Sequence, residues 1–370
     1  VAWFIGLMSG TSLDGVDGVL AEMADNGATA AVRVHVHQPL LPTLRSELLA
    51  LNTTGPDELH RAALATHGLM DGYASVVAEL LRRGGIGAQQ VSAIGAHGQT
   101  VRHRPRDFGR HGYTLQLMNG ASLAEQSGIA VVCDFRSRDV AAGGEGAPLV
   151  PAFHAARFAR PGRGVAVLNL GGIANLTVLG SEGSVHGYDT GPGNMLMDLW
   201  CQRQRGLAYD ASGTWAASGQ LVPSLLTALL AEPFFARRPP KSTGRDLFDA
   251  AWLDARLAGA AWPAADVMAT LAELTARTVN DALARDEAAL QDLIVCGGGA
   301  YNSHLLQRLS HHLGSGVAVS TSATHGVPPD QVEALAFAWL AWAHLARRPG
   351  SLPAVTGARG ERMLGALYPA

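Results

Sequence analysis

Short apolar runs alternate along this chain with longer stretches whose apolar positions recur at helical spacing. Trp3-Phe4-Ile5-Gly6-Leu7-Met8 and Gly18-Val19-Leu20-Ala21 are two such runs, each with the length of a strand. The polar segment between them, Ser9 to Asp17, predicts a hairpin whose tip is rich in Gly and hydroxyl groups. Over 59–83, residues such as Leu59, Ala62, Leu69, Tyr73, Val76 and Leu80 keep helical spacing, and Gly84-Gly85 closes the pattern, which predicts a helix. Val91 to Ala96 reads as a short buried strand running into a polar loop, and Ile129 to Cys133 as another strand. Gly, Ala and Pro crowd Asp139 to Pro151, a composition that predicts a hinge. Val165 to Leu170, Gly171-Gly172 and Ile173 to Leu179 then repeat the layout of the first hairpin, which implies an internal duplication. Val185 to Tyr188 is strand-like, with Asp189 at its end and a helix expected from near Asn194. Leu293 to Cys296 leads into Gly297-Gly298-Gly299-Ala300 and a helix from near Ser303, and Ala334 to Leu340 forms an apolar helix opened by Glu333. Strand and helix patterns alternating in this way predict an α/β protein.

A tight turn of Gly and hydroxyl residues aims backbone N–H and O–H groups at one point, which suits a phosphate. Asp14 and Asp17 suit a phosphate only across a cation, and Mg2+ prefers such oxygen ligands. An ordinary hairpin with a polar turn has the same local pattern. The junction at Gly297 to Gly299 joins a strand to a helix N-terminus, another nucleotide-friendly arrangement. It does not fit the GxGxxG dinucleotide fingerprint.

Composition narrows the classes. With 370 residues the chain has room for two domains, and 48% apolar against 16% charged residues excludes a disordered chain. A net charge of -3 supplies no basic field for nucleic acid or an anionic membrane. No apolar run reaches the length of a bilayer span; the best, Ala334 to Ala346, is short and holds His344. The first residues enter the turn at once, leaving no room for a cleavable leader, so a cytoplasmic protein is expected. Cys133, Cys201 and Cys296 form no CxxC pair, the 14 histidines form no HExxH, and His311-His312 reads as part of a polar stretch after a helix. No zinc is expected.

The Gly turns at the start of each half and near the end of the second resemble the actin/hexokinase/Hsp70 superfamily, in which two related domains clamp ATP between two phosphate hairpins and an adenosine loop. The resemblance implies two duplicated actin/hexokinase-like (ribonuclease H-like) domains with an ATP cleft between them. Residues 1–135 form the first, 136–351 the second, and 352–370 pack back on the first. It implies ATP contacts from Gly10, Thr11, Ser12, Leu13, Asp14, Gly15, Val16 and Asp17. Further contacts fall to Gly171 and Gly172, to Gly191 and Gly193, and to Gly297, Gly298, Gly299 and Asn302. Where members of the superfamily carry a metal-holding Asp, two residues before the Gly-Thr of the first turn, this chain has Met8. Asp14 and Asp17 are the nearby replacements for Mg2+.

Within that superfamily the chain resembles the anhydro-N-acetylmuramic acid kinases nearly end to end. The match rests on Gly6 to Gly15, His97-Gly98-Gln99-Thr100-Val101-Arg102-His103, Asp134-Phe135-Arg136 and Gly143 to Leu149. It continues through Asn169 to Asn175, Asp189-Thr190-Gly191-Pro192-Gly193-Asn194, Pro239-Pro240-Lys241-Ser242-Thr243-Gly244-Arg245, Cys296 to Ala300 and Glu333-Ala334. Met118, after the strand-like Leu115-Gln116-Leu117, replaces the family's usual Gly. The family's reaction opens the 1,6-anhydro bridge of 1,6-anhydro-N-acetylmuramic acid with water and transfers the γ-phosphoryl group of ATP to the freed O6. The product is N-acetylmuramic acid 6-phosphate, made in cell-wall recycling by what is expected to be a homodimer.

That chemistry requires a carboxylate to activate water opposite the leaving oxygen, and donors to hold the charge on the phosphoryl group. Asp189 is the expected base, its glycine-rich surroundings letting backbone approach a ligand; capping the following helix is its alternative, a task open to Asn194 as well. Glu333 opens a helix, where the dipole alone accounts for an acid, and the resemblance turns it toward substrate. Thr100 and Arg136 would bind the sugar, the planar Arg fork suiting the lactyl carboxylate. The basic stretch from His97 to Arg106 also fits a solvated loop, and Lys241 has no assigned role. A general sugar or carboxylate kinase of the same fold, a non-catalytic ATP-dependent clamp, and a glycoside hydrolase using Asp189 and Glu333 are the competing readings.

Overall fold

In a computed structural model of the chain, the first apolar run becomes β1 (Ala2–Met8), which turns back into β2 (Gly15–Met23) and pairs with it antiparallel from Ala2–Met23 to Met8–Asp17. The structure describes all residues except 11, 28, 29, 109–111, 240, 245, 246, 258, 287 and 288, and Ala30 by its backbone only. β3 (Ala30–Pro39) continues the meander on β2, while β4 (Val91–Ala96) and β7 (Val131–Cys133) extend the sheet on the other side of β1, parallel to it. The terminal strand Ala366–Tyr368 closes the far edge against β7. Between β4 and β7 lies a separate two-stranded ribbon of β5 (Gln99–Arg104) and β6 (Tyr113–Leu117).

The two faces of this sheet are covered differently. On one, Ile5, Leu7, Leu20 and Ile94 pack on Leu69, Tyr73, Val76 and Leu80 of the helix Glu58–Gly84. On the other, Gly6 and Gly95 stand side by side across β1 and β4. A Cβ at either would overlap a backbone carbonyl, that of Ala334 or that of Phe337, in the helix Val332–Leu345. The paired glycines let that helix lie with its backbone against the sheet. Its chain order therefore does not decide its partner. The helix belongs with the first strands although it follows the second half of the sequence.

The second unit repeats the plan. β8 (Gly164–Leu170), β9 (Ile173–Leu179) and β10 (Val185–Pro192) form an antiparallel meander, and β11 (Leu290–Cys296) and β12 (Ala318–Thr321) add on parallel to β8. The order β10-β9-β8-β11-β12 matches β3-β2-β1-β4-β7 strand for strand, which is the ribonuclease H-like repeat expected from the duplication. Its core gathers Leu168, Leu176, Trp200, Phe248 and Leu293 around the helix Ala264–Arg285.

The units comprise Val1–Arg157 with Gln331–Ala370, and Phe158–Asp330. Residues 136–157 and 331–351, grouped with the second half from the sequence, lie in the first unit. The stretch expected as a hinge is stitched to that unit by the buried Asp139. Asp139 accepts from the Gly146 amide (2.8 Å) and from the Thr356 hydroxyl (2.8 Å). Two further sequence readings change. His311 and His312 lie in the last turn of the helix Ser303–Leu313, where His312 pairs with Glu273 (2.7 Å). The segment after β4 is not a loop but β5, with a bulge between Thr100 and Arg102 and with Arg102 buried against the Leu51 carbonyl and Glu58.

Candidate active site

The turn between β1 and β2 is held from beneath. Ser9 is buried and its hydroxyl donates to the Gly98 carbonyl (3.2 Å) while accepting from the phenol of Tyr73 (2.9 Å). Gln99, also buried, donates its amide to the Gly10 carbonyl (3.2 Å), and its Oε1 has no protein partner. The Leu13 amide bonds the Gly10 carbonyl (3.3 Å), and the Leu13 side chain is buried among Leu48, Leu51 and Val101. Leu13 and Val16 thus serve the core and leave only backbone for a ligand. Thr11 lies outside the described residues. A Cβ at Gly10 would meet nothing closer than the Ser12 hydroxyl at 3.7 Å, so a phosphate can reach this backbone.

The two acids of the turn differ. Asp14 is exposed and accepts from the Ser12 hydroxyl (2.8 Å). Asp17 lies on β2, and its Oδ1 is bonded by His35 Nε2 and His37 Nδ1 of β3, each at 3.0 Å. Both imidazoles engage Oδ1 of Asp17, so of the two acids expected to hold Mg2+, Asp14 is the more open to solvent. No group of three metal-ligating side chains occurs among the described residues. A lone exposed carboxylate still fits Mg2+, which keeps several waters and takes its other ligands from nucleotide phosphates.

Arg136 follows β7 and sits at the start of the short helix Ser137–Ala141. Its Nε and Nη2 donate to His97 Nε2 (3.1 and 2.9 Å), and its Nη1 donates to the Gly146 carbonyl (2.7 Å). His97 Nδ1 donates in turn to the Ser9 carbonyl (3.3 Å), so the ring is the neutral Nδ1–H tautomer, assigned from this network. Burial, aided by the Arg136 charge, pushes the His97 pKa down to about 3. Burial also lowers Arg136, to about 10, while Glu333 and Asp139 oppose the shift, so the guanidinium stays charged at neutral pH. Glu333 stands in the first turn of the helix Val332–Leu345; one turn on, Phe337 packs on His97 with centroids 4.9 Å apart. Thr100 lies on β5 and its hydroxyl accepts from Gln116 (3.2 Å). Glu333 thus lies near enough for its charge to act on Arg136. His97 and Gln99 were missed because their basic, polar surroundings read as solvated loop.

In the second unit, Asn169, Asn175 and Asp189 stand opposite one another across β8, β9 and β10. Asp189 is inside β10, not at its end, and a bulge between Asp189 and Gly191 follows it. Such a bulge re-aims the side chains beside it. Asp189 Oδ1 accepts from Asn175 Nδ2 (2.8 Å) and Oδ2 from the Thr243 amide (2.9 Å). Desolvation raises its pKa, opposed by those two hydrogen bonds and by the charge of Lys241. Lys241 is buried 4.6 Å from the Phe234 ring centre and donates weakly to the Phe234 and Phe235 carbonyls (3.4 Å each). Burial brings its pKa down to about 8. The sequence signal for Lys241 was a lysine between Pro-Pro and Ser-Thr-Gly, too polar a neighbourhood to suggest burial. Pro240 and Arg245 of that motif lie outside the described residues.

The second and third turns are built on Asp189's neighbours. The Gly193 and Asn194 amides donate to the Gly172 and Gly171 carbonyls (2.8 Å each), and Asn194 Nδ2 donates to the Leu170 carbonyl (3.0 Å). The Asn194 side chain braces the turn and does not cap its helix. Gly297 has a φ of 77°, and a Cβ there would overlap the Asn169 amide oxygen, an atom buried without a partner. Gly191, Gly193 and Gly299 likewise back onto Phe235, the Gly171 carbonyl and Leu170, so packing accounts for them. Gly298 is different: a Cβ would meet nothing within 4 Å. Asn302 caps the helix Ser303–Leu313 by accepting from the Leu305 amide (3.0 Å).

The family described as anhydro-N-acetylmuramic acid kinase matches residues 2–370. An anhydro-N-acetylmuramic acid kinase of Variovorax paradoxus is 59% identical, covering 99% of both chains, and one of Bordetella petrii is 58% identical over 99% of this chain and 96% of its own. One of Pseudomonas putida is 50% identical over the whole of both. A duplicated ribonuclease H-like fold, bare glycine turns and this likeness from end to end place the chain in the anhydro-N-acetylmuramic acid kinase family.

Proposed function

We propose that the chain uses ATP and water to convert 1,6-anhydro-N-acetylmuramic acid to N-acetylmuramic acid 6-phosphate, with Asp189 as the base that activates water. The supporting observation is the setting of Asp189. Two donors fix both carboxylate oxygens, and desolvation makes the group more basic than a solvated Asp. Each oxygen keeps a second lone pair for a water proton. Water attacks the anomeric carbon, its proton passes to Asp189, and the bridging C1–O6 bond breaks; O6 then bonds the γ-phosphorus as the bond to the β-phosphate oxygen breaks and ADP leaves.

Arg136 is the proposed anchor for the lactyl carboxylate. His97 and Gly146 occupy three of its N–H groups, and of the five that a guanidinium carries two remain for a planar, bidentate partner. Thr100 and Glu333 complete the sugar contacts, Glu333 also reinforcing the charge of Arg136. Backbone at Gly10 and Gly298, with Gly171 and Gly172, receives ATP. Bound Mg2+ would supply charge neutralisation of the phosphates, with Asp14 as its protein ligand. A homodimer in the cytoplasm belongs to the same proposal, and sedimentation of the purified protein tests the dimer. The enzyme reading itself is tested by ATP turnover with and without the anhydro sugar. Sugar-dependent ADP release is expected; equal turnover without sugar contradicts it.

A further inference from the structure

We infer that His97 is a positioning residue that ties the first glycine turn to Arg136, holding the guanidinium in register with the backbone beside Gly10. One imidazole makes both connections: Nδ1 donates to the Ser9 carbonyl (3.3 Å) and Nε2 accepts from Nε and Nη2 of Arg136 (3.1 and 2.9 Å). The ring has no freedom to trade these partners. It is 5% exposed, packs on Phe337, and its own backbone amide bonds the Leu7 carbonyl of β1 (3.0 Å). Ser9 is fixed in turn by Tyr73 and Gly98.

An arginine side chain has many rotamers, and ordering it on binding costs conformational entropy. An acceptor placed across Nε and Nη2 removes that freedom before substrate arrives and leaves one N–H on each of Nη1 and Nη2 for a carboxylate. The acceptor must be neutral, because an imidazolium presents N–H groups to a cation. Burial keeps it neutral, aided by Arg136, with Glu333 and Asp139 behind that charge, and opposed by the Ser9 and Gly98 backbone. His97 touches no reacting atom and acts through Arg136. The inference rests on the reading of Arg136 as the sugar anchor.

Two amide variants separate the connections. In His97→Gln the amide oxygen falls near the position of Nε2 and still accepts from Arg136. In His97→Asn the amide nitrogen falls near Nδ1 and keeps only the bond to Ser9. With both variants folded by thermal melt, His97→Asn is expected to raise KM for the anhydro sugar about tenfold or more, with kcat and KM for ATP near wild type. That is the loss from roughly one hydrogen bond to a charged group. His97→Gln should stay within about threefold of wild type in KM for the sugar. In an Arg136→Ala background the effect of His97→Asn on the sugar KM should vanish, since the two act as one unit. Equal effects of both amides, or additive effects with Arg136→Ala, overturn the inference.

A second readout needs no substrate. In 15N-histidine NMR, His97 is expected as the Nδ1–H tautomer, staying neutral well below pH 6. Arg136→Ala should move its titration upward by removing the neighbouring charge. An Nε2–H tautomer, or titration unchanged by Arg136→Ala, contradicts the tie. If the wild-type protein ignores the anhydro sugar while the NMR signature holds, the functional reading fails and the positioning of Arg136 stands.

Discussion

Desolvation pushes both Asp189 and Lys241 toward their neutral forms, and each charge partly opposes that shift in the other. Replacing Lys241 by Met removes a charge that lowers the Asp189 pKa, so the acidic limb of the kcat/KM–pH profile is expected to move to higher pH. An unmoved limb means that the base titrating there is not Asp189. Asp189→Asn is well tolerated sterically: its amide oxygen can accept from the Thr243 amide, and Asn175 can turn its own amide to receive the new N–H. The protein should therefore fold and bind ATP normally while kcat falls roughly 10²–10⁴-fold, the usual contribution of a general base. At this scale the sequence is legible where glycines and acids announce themselves, as at Gly10, Gly298 and Asp189. It is opaque for His97, Gln99 and Lys241, because burial of a polar side chain is decided by residues far away in the chain. Asn302 shows the converse, a residue in a nucleotide-like context that caps a helix.

Among the elements, the strip of Gly6 and Gly95 under the helix Val332–Leu345 matters most for the site. That helix carries Glu333 toward Arg136 and Phe337 onto His97, and its depth is set by two missing Cβ atoms. Gly95→Ala forces the helix outward. Overpacking of this kind costs about 1–3 kcal/mol, read as a lower urea midpoint, and displacement of Glu333 should raise KM for the sugar alongside it. A variant with unchanged midpoint and KM shows that the helix does not need that depth. The meanders and their turns could be read from apolar runs alone. The ribbon of β5 and β6 could not, since its alternation is buried in basic residues such as Arg102, His103 and Arg104. Nor could the docking of the last helix, which depends on contacts with strands more than 200 residues earlier.

Across the whole molecule, acid should be felt first in the unit of Val1–Arg157 and Gln331–Ala370. His97 and His154 are both buried there with pKa values lowered to about 3. Unfolded, each titrates near 6.5 and binds a proton that the folded form refuses. The stability they hold is therefore complete above about pH 6.5 and is lost progressively as pH falls toward 3. Melting temperature should decline across that window, and His154→Leu should flatten the decline; an equal slope in the variant removes His154 from the account. The duplication was visible in the sequence as two similar hairpins, but the division of the chain was not. The chain stays in the first unit up to Arg157 and returns to it at Gln331, and composition marks neither crossing.

The central claim is coupled ring opening and phosphoryl transfer. Mass spectrometry of the product made from Mg-ATP and 1,6-anhydro-N-acetylmuramic acid in 18O-labelled water tests it most directly. One added phosphate with one 18O at the anomeric carbon is predicted. Phosphate transfer to other, open sugars, with no labelled product from the anhydro sugar, contradicts it.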